Sequence, residues 1–261
     1  MRKFCIYGKG GIGKSTAVAN TAAAMAEMGL KVAVVGCDPK ADSTRCIAGR
    51  KIPTVLDRLQ RPSAESAAVT GYRNILCIES GGPQPGTGCA GRGIAAALRE
   101  IREKNLLEGC DVVLYDVLGD VVCGGFSMPL REEIAEEVYL VTTADFMSLY
   151  AANNICRGVK KYAESGGIRL SGVICNNRSS REAPETVQRF AEAIGSVVIG
   201  QIPMSPLISR AELARKTVVE MFPDSDAGLA FRTLANAMLS NRSRCIPDPL
   251  SDEEVETLCL V

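Results

Sequence analysis

Histidine and tryptophan are absent from this 261-residue chain. Without imidazole, acid–base work and metal binding fall to cysteine, aspartate and glutamate. An excess of charge is missing too: 30 Lys and Arg balance 30 Asp and Glu. Nucleic acid and anionic lipid are therefore without the basic surface that would make them main partners. No run approaches the ~18 apolar residues of a membrane helix. The opening Met1–Tyr7 has neither the apolar core nor the cleavage site of an export signal, and reads as a first strand. No C-x-x-C occurs anywhere. These absences lead to the expectation of a cytoplasmic protein, with no membrane or nucleic-acid partner. Its 11 cysteines, an odd number, are then thiols or metal ligands rather than disulfides.

What is present is an alternation of short β-branched apolar runs with longer helical stretches. Strands are expected at Lys3–Tyr7, Lys31–Gly36, Arg73–Glu79, Asp111–Asp116, Glu137–Thr143, Arg169–Asn176 and Val197–Ile202. Helices are expected at Ser15–Met28, Ile94–Lys104, Phe146–Glu164, Glu182–Ile194, Leu207–Glu220 and Ala227–Ser240. Repeated strand–helix units imply a single α/β domain, a P-loop NTPase fold over residues 1–240, with a mostly parallel sheet covered by helices on both faces. The tail, 241–261, carries two prolines and an acidic run, and reads as a solvated surface extension.

Between the first strand and first helix stands Gly8-Lys9-Gly10-Gly11-Ile12-Gly13-Lys14-Ser15-Thr16, a full G-x-x-x-x-G-K-[ST] in its strand–loop–helix context. Its amides and the helix N-terminus suit phosphate oxygens. Lys14 should reach the β- and γ-phosphates, and the Ser15 hydroxyl should sit on Mg²⁺. Cys37-Asp38-Pro39-Lys40-Ala41-Asp42-Ser43-Thr44 follows the second strand, and Asp38 and Asp42 are the carboxylates that can serve magnesium and the attacking water. After the central strand, Asp116 takes the Walker B position, and Gly119 can bring its N–H to a γ-phosphate.

Cys5, Cys77, Cys156 and Cys175 lie in apolar strands or a helix, where packing is the default role. Cys89 and Cys123 differ: both sit among glycines, the first in a Gly/Pro-rich loop over Ser80–Gly93, the second three residues beyond Asp120. A [4Fe–4S] cluster needs four thiolates. Two per chain suffice only if a cluster is shared by two subunits; unliganded loop cysteines remain the alternative at this point.

The extra lysine, Lys9, makes the phosphate loop resemble the deviant Walker A class. There this lysine reaches the phosphates of the other subunit, so the resemblance implies a face-to-face dimer. The strings GKGGIGKST, GCDPKADST, ESGGPQPGTGCAGRG, YDVLGDVVCGGFSMPLRE, LYAANNICRGVKKYAESGGIRL and VICNNR resemble, in order, the iron protein of nitrogenase and its nitrogenase-like relatives. The resemblance runs from residue 3 to about 240. It implies a homodimeric, ATP-hydrolysing iron–sulfur oxidoreductase that binds MgATP and carries one [4Fe–4S] cluster on Cys89 and Cys123 of both subunits. It also implies electron delivery from a low-potential ferredoxin or flavodoxin to a larger catalytic partner. Arg92 matches the family's docking residue, in some members a site of ADP-ribosylation. Lys40 belongs to the first switch, and Asn176 and Pro203 match the region that holds the adenine ring.

Departures from the family pattern touch the partner. Ile134 stands where true nitrogenase iron proteins carry a docking lysine; the stretch around Ile52–Leu59 is short; Ile202-Pro-Met-Ser-Pro206 replaces the usual V-P-R-D-N; and the tail is short. These favour a nitrogenase-like partner outside nitrogen fixation, such as a tetrapyrrole reductive cyclase or a carbon–sulfur bond reductase. A true nitrogenase iron protein is the alternative. Positioning ATPases, and scaffold ATPases that ligate through C-x-x-C, are the readings from other classes.

Overall fold

A computed structural model gives the architecture, and describes residues 1–60, 67–82, 90–117, 119, 136–163, 167–178 and 183–260. Eight strands form one sheet in the order β3-β4-β2-β5-β1-β6-β7-β8. They are β1 Arg2–Tyr7, β2 Val32–Gly36, β3 Ala68–Thr70, β4 Leu76–Glu79, β5 Val112–Asp116, β6 Glu137–Thr142, β7 Arg169–Asn176 and β8 Val198–Ile202. All pairings are parallel except β3 with β4. The central strands are buried from end to end because both sheet faces are covered, and polar residues stand only at their ends, as Asp116 and Glu137 do. One core carries Ile94, Leu149, Val187 and Val255; the other carries Ala22, Met25, Phe231 and Leu234.

Helices α1 Lys14–Glu27, α4 Ala90–Glu103, α5 Phe146–Ala163, α6 Pro184–Ala193 and α9 Asp226–Ser240 cover the sheet. α1 is buried along most of its length, and its run of alanines lets it sit close against the sheet and α9. β1 lies between β5 and β6, while the chain after α1 goes to β2 beyond β5. The loops after β1, β2 and β5 therefore open at one end of the sheet, where parallel α/β folds place their ligands.

Four expectations need correction. The strand expected at Arg73–Glu79 begins only at Leu76: Arg73 and Asn74 adopt positive φ in a 3-10 turn over Tyr72–Asn74. The three-residue antiparallel edge strand β3, and the short helices α2 Arg45–Ala48 and α3 Val55–Gln60, had no pattern long enough to show. The helix expected over Leu207–Glu220 is two, α7 Pro206–Leu213 and α8 Val218–Met221. Arg215 takes φ 57°, and Thr217 restarts the chain by accepting from the Glu220 N–H at 3.1 Å. Asn20 of α1 secures the new turn, its Oδ1 accepting from Val218 N at 2.7 Å.

The tail is the fourth. It is packed onto the domain rather than solvated. Cys245 and Leu170 exchange two backbone hydrogen bonds of 2.9 Å, and Asn153 exchanges two with Leu250. Arg244 joins Arg2 on the Glu137 carboxylate. A final helix, α10 Asp252–Leu260, buries Val255 completely between α5 and α6. Val255→Ala should therefore lower stability by about 1–3 kcal/mol, read from the urea midpoint, where a solvated tail would give no change.

Candidate nucleotide site

The phosphate loop lies at the floor of a cleft of about 1070 Å³ lined by Lys9, Gly10, Gly11, Gly13, Lys14, Ser15 and Thr16. Asp38, Lys40, Asp42, Gly119, Asn176 and Pro203 line the same cleft. Thirteen residues expected from the sequence are thus brought together from five places in the chain. Lys14 is only 8% exposed, and its ammonium bends back over the loop toward the Lys9 carbonyl, 3.4 Å away.

Gly13 has φ 97°, and a Cβ there would stand 2.4 Å from Asn176 Nδ2. That amide donates to the Ile12 carbonyl at 2.7 Å, so Asn176 clamps the loop from the end of β7. Gly119 is tighter still. A Cβ there would meet Gly8 O at 2.3 Å and Gly10 N at 2.8 Å, so Gly119 rests directly on the phosphate loop.

Three expected residues lie outside the cleft lining. Gly8 follows β1, close against the Val141 carbonyl. Ile12 turns its side chain into the core. Asp116, the last residue of β5, is 2% exposed, and both its carboxylate oxygens are without a hydrogen-bond partner. Burial raises its pKa; the Lys14 ammonium, and the Ser15 and Ser43 hydroxyls facing it, oppose that rise. An orphaned buried carboxylate beside Ser15 fits a hydrated divalent cation, whose charge and water would satisfy it.

Sequence reasoning missed three residues here. Arg178 donates to the Gly11 carbonyl at 2.5 Å, and Glu212 accepts from the Thr16 hydroxyl at 2.5 Å; both line the cleft. Arg178 follows β7 at the sheet's ligand end, a position that could have flagged it; Glu212, inside α7, has no such mark. The third, Glu79, closes β4, fully buried behind Asp38–Thr44. Its Oε1 accepts from Thr44 N at 2.7 Å and Thr44 Oγ1 at 2.6 Å.

The sequence model for 4Fe-4S iron sulfur cluster binding proteins of the NifH/frxC family matches residues 2–260. The chain belongs to the NifH/frxC family. The nitrogenase iron protein of Methanococcus voltae is 52% identical over 265 residues, 99% of this chain and 95% of that protein. Nitrogenase iron protein 2 of Methanothermobacter thermautotrophicus is 49% identical over 260 residues, 98% and 96% of the two chains. Among solved structures, the septum site-determining protein MinD of Pyrococcus horikoshii, complexed with Mg-ADP, is similar with a TM-score of 0.73. Its identity is 25%, over 92% of this chain and 96% of that one. A ParA family ATPase from Chlorobium tepidum has a TM-score of 0.68 at 19% identity, over 90% and 97%. These two likenesses are of fold.

As a NifH/frxC protein the chain has a [4Fe–4S] cluster and MgATP as its cofactors. Cys89 and Cys123 lie outside the described residues. Arg92 is exposed on α4. Among the described residues, no group of three or more cysteine or acidic side chains is placed to hold a metal. Burial raises the thiol pKa of Cys5, Cys37, Cys46, Cys77, Cys110, Cys156, Cys245 and Cys259, Cys46 to about 11 and Cys77 to about 12. Those thiols resist becoming the thiolates that a cluster needs. Among the described residues, no helix is long and apolar enough to cross a membrane.

Glu79 offers a pH test of the cleft's rear wall. Burial pushes its pKa up from 4.5 to about 7; the Thr44 hydrogen bonds oppose that rise, and Asp116 and Asp42 add to it. A carboxyl group raised on folding contributes its full stability below pH 4.5, and loses it as pH rises through about 7. The rise corresponds to about 3 kcal/mol of folding free energy. Glu79→Gln should therefore be the more stable chain at pH 8, by up to that amount, with no advantage left near pH 4.5. Urea midpoints across this range check it.

Proposed function

We propose that this protein is an ATP-driven electron-transfer reductase, a homodimer that delivers single electrons to a larger nitrogenase-like partner. The observation that supports this best is the buried, unpartnered Asp116 beside Ser15, under a phosphate loop on which Gly119 rests, in a chain that matches the NifH/frxC model from residue 2 to 260. Loop amides and Lys14 take the phosphates, and Ser15 and Asp116 take Mg²⁺, the latter through water. Asp38 and Asp42 orient the water that attacks the γ-phosphorus as the bond to the β-phosphate oxygen breaks. Lys9 serves the phosphates of the partner subunit. Lys40 and Gly119 belong to the two segments that respond to the γ-phosphate, and Asn176 and Pro203 face the adenine.

Cys89 and Cys123 of both subunits are the ligands we assign to the cluster, which when bound supplies a one-electron carrier. Driving a near-complete population switch takes roughly 5.5 kcal/mol of differential binding, within the reach of two nucleotides that contact both segments. A low-potential ferredoxin or flavodoxin is the electron source on this reading, and Arg92 is a docking residue.

The departures at Ile134, Ile52–Leu59 and Ile202–Pro206 support a partner outside nitrogen fixation, acting on a tetrapyrrole or a carbon–sulfur bond. The names of the two relatives support instead a true nitrogenase iron protein. Anaerobic purification with stoichiometric iron analysis, followed by capture of partners on the reduced, MgATP-loaded dimer, tests both. A large cluster-bearing reductase whose addition stimulates ATP hydrolysis is the expected result. Hydrolysis stimulated by membranes or DNA, in an iron-free chain, would return the positioning ATPases.

A further inference from the structure

Behind the segment Asp38–Thr44, on the side away from the cleft, one carboxylate holds one residue twice. Glu79 Oε1 accepts from both the N–H (2.7 Å) and the hydroxyl (2.6 Å) of Thr44, and all three groups are buried. Thr44 is two residues from Asp42, a cleft residue, and opens α2 through the Ala48 N–H to Thr44 O bond of 2.8 Å. Glu79 itself has little freedom. It pairs with Gly36 in the β2–β4 register and bridges to Thr54 on the other side. Its neighbour Ser80 donates to the Gly36 carbonyl at 2.8 Å, and accepts from Leu56 N at 3.2 Å. The carboxylate fits because residue 36 is glycine: a Cβ there would stand 2.0 Å from Glu79 Oε2 and 2.9 Å from the Ser43 Cβ. A side chain that costs folding free energy when ionised, that stands outside the cleft lining, and for which the neighbouring strand leaves a gap, calls for a role.

We propose that Glu79 is a positioning residue, which fixes Thr44 to the sheet and so sets where Asp38 and Asp42 stand over the phosphate loop. The inference rests on the ATP-hydrolysing reading above. Because Glu79 acts from behind, its loss should spare the ground-state grip of the phosphate loop on nucleotide. It should weaken the alignment that matters at the transition state, which is a fall in kcat at little changed affinity.

The test uses the full chain, purified anaerobically, with four measurements: MgADP affinity by calorimetry, steady-state MgATP hydrolysis, thermal midpoint, and amide exchange of the peptide 38–48. Glu79→Ala is expected to lower kcat about tenfold or more, with MgADP affinity within about threefold, while exchange over 38–48 accelerates about tenfold. Glu79→Gln retains an acceptor oxygen for both Thr44 donors, and should recover most of the rate and protection. Thr44→Val removes only the hydroxyl donor, and should fall between, about threefold down in kcat. Val255→Ala, destabilised far from the cleft, separates positioning from stability: it should melt lower and keep its kcat.

An unchanged kcat in Glu79→Ala would overturn the proposal. So would an MgADP affinity that falls as far as kcat, a Glu79→Gln chain as slow as Glu79→Ala, or a Val255→Ala chain that loses rate in step with its midpoint. If Glu79→Ala does not fold, Thr44→Val decides by the same split. If the native chain hydrolyses no ATP, the functional reading falls, and the exchange of 38–48 in Glu79→Gln and Thr44→Val still decides whether Glu79 holds the segment.

Discussion

Lys14→Gln should leave a folded dimer that hydrolyses MgATP about 10²–10³-fold more slowly than the native chain, and binds MgADP far more weakly. The expected size follows from where the ammonium sits. It is buried to 8% exposure, bends back toward the Lys9 carbonyl, and of the charged groups around the Asp116 carboxylate has the largest effect on it. In a partly desolvated cleft a fixed cation acts on developing phosphate charge much more strongly than in water, and costs no reorganisation at the moment of reaction. Glutamine keeps the length and a donor but not the charge, so the loss reads the electrostatic contribution rather than packing. The fold should survive, because α1 is held by its alanines and Met25 rather than by this residue. A chain that loses hydrolysis but keeps native MgADP affinity would show that Lys14 serves only the transition state. Unchanged hydrolysis would remove the phosphate loop from the mechanism.

The phosphate loop was legible because its chemistry is local: glycines, lysine and serine at fixed spacing between a strand and a helix leave one workable use. The central strands were legible for a similar reason, since only a sheet covered on both faces accepts runs such as Val112–Tyr115 without a polar residue. What escaped depended on partners far away in sequence. Glu79 reads as the end of an apolar strand, and becomes part of the site only when the fold lays Thr44, 35 residues earlier, against it. The break before Val218 contains no glycine or proline; it is fixed by Thr217 and by the Asn20 side chain, 198 residues distant. The tail looked solvated because it carries two prolines and an acidic run, yet Val255, with Leu258 and Cys259 beside it, docks a helix against α5 and α6.

Cys89→Ser and Cys123→Ser, made singly, should each take the anaerobically purified dimer from about four iron atoms to close to none, and remove its visible absorbance. The effect is expected to be all or none because each substitution acts twice in a symmetric dimer: a shared cluster that needs four thiolates is left with two. An alkoxide does not replace a thiolate here, since a serine hydroxyl holds its proton far above the pH at which a loop thiol gives it up. Substituting a core cysteine makes the contrast. Cys77→Ser places a hydroxyl where a thiol now points at the Ile75 carbonyl 3.7 Å away, and should cost stability while iron content stays native. MgADP affinity is the decisive companion measurement. The phosphate loop and Asn176 line the cleft from the ends of β1 and β7, with the Asp116 carboxylate of β5 buried beside Ser15, so the iron-free variants should still bind nucleotide. Iron lost together with nucleotide binding would indicate misfolding; iron retained in either variant would move the cluster to other ligands. Iron lost with the cleft intact would establish two separable centres on one chain, which is what a machine coupling hydrolysis at one to electron release at the other requires.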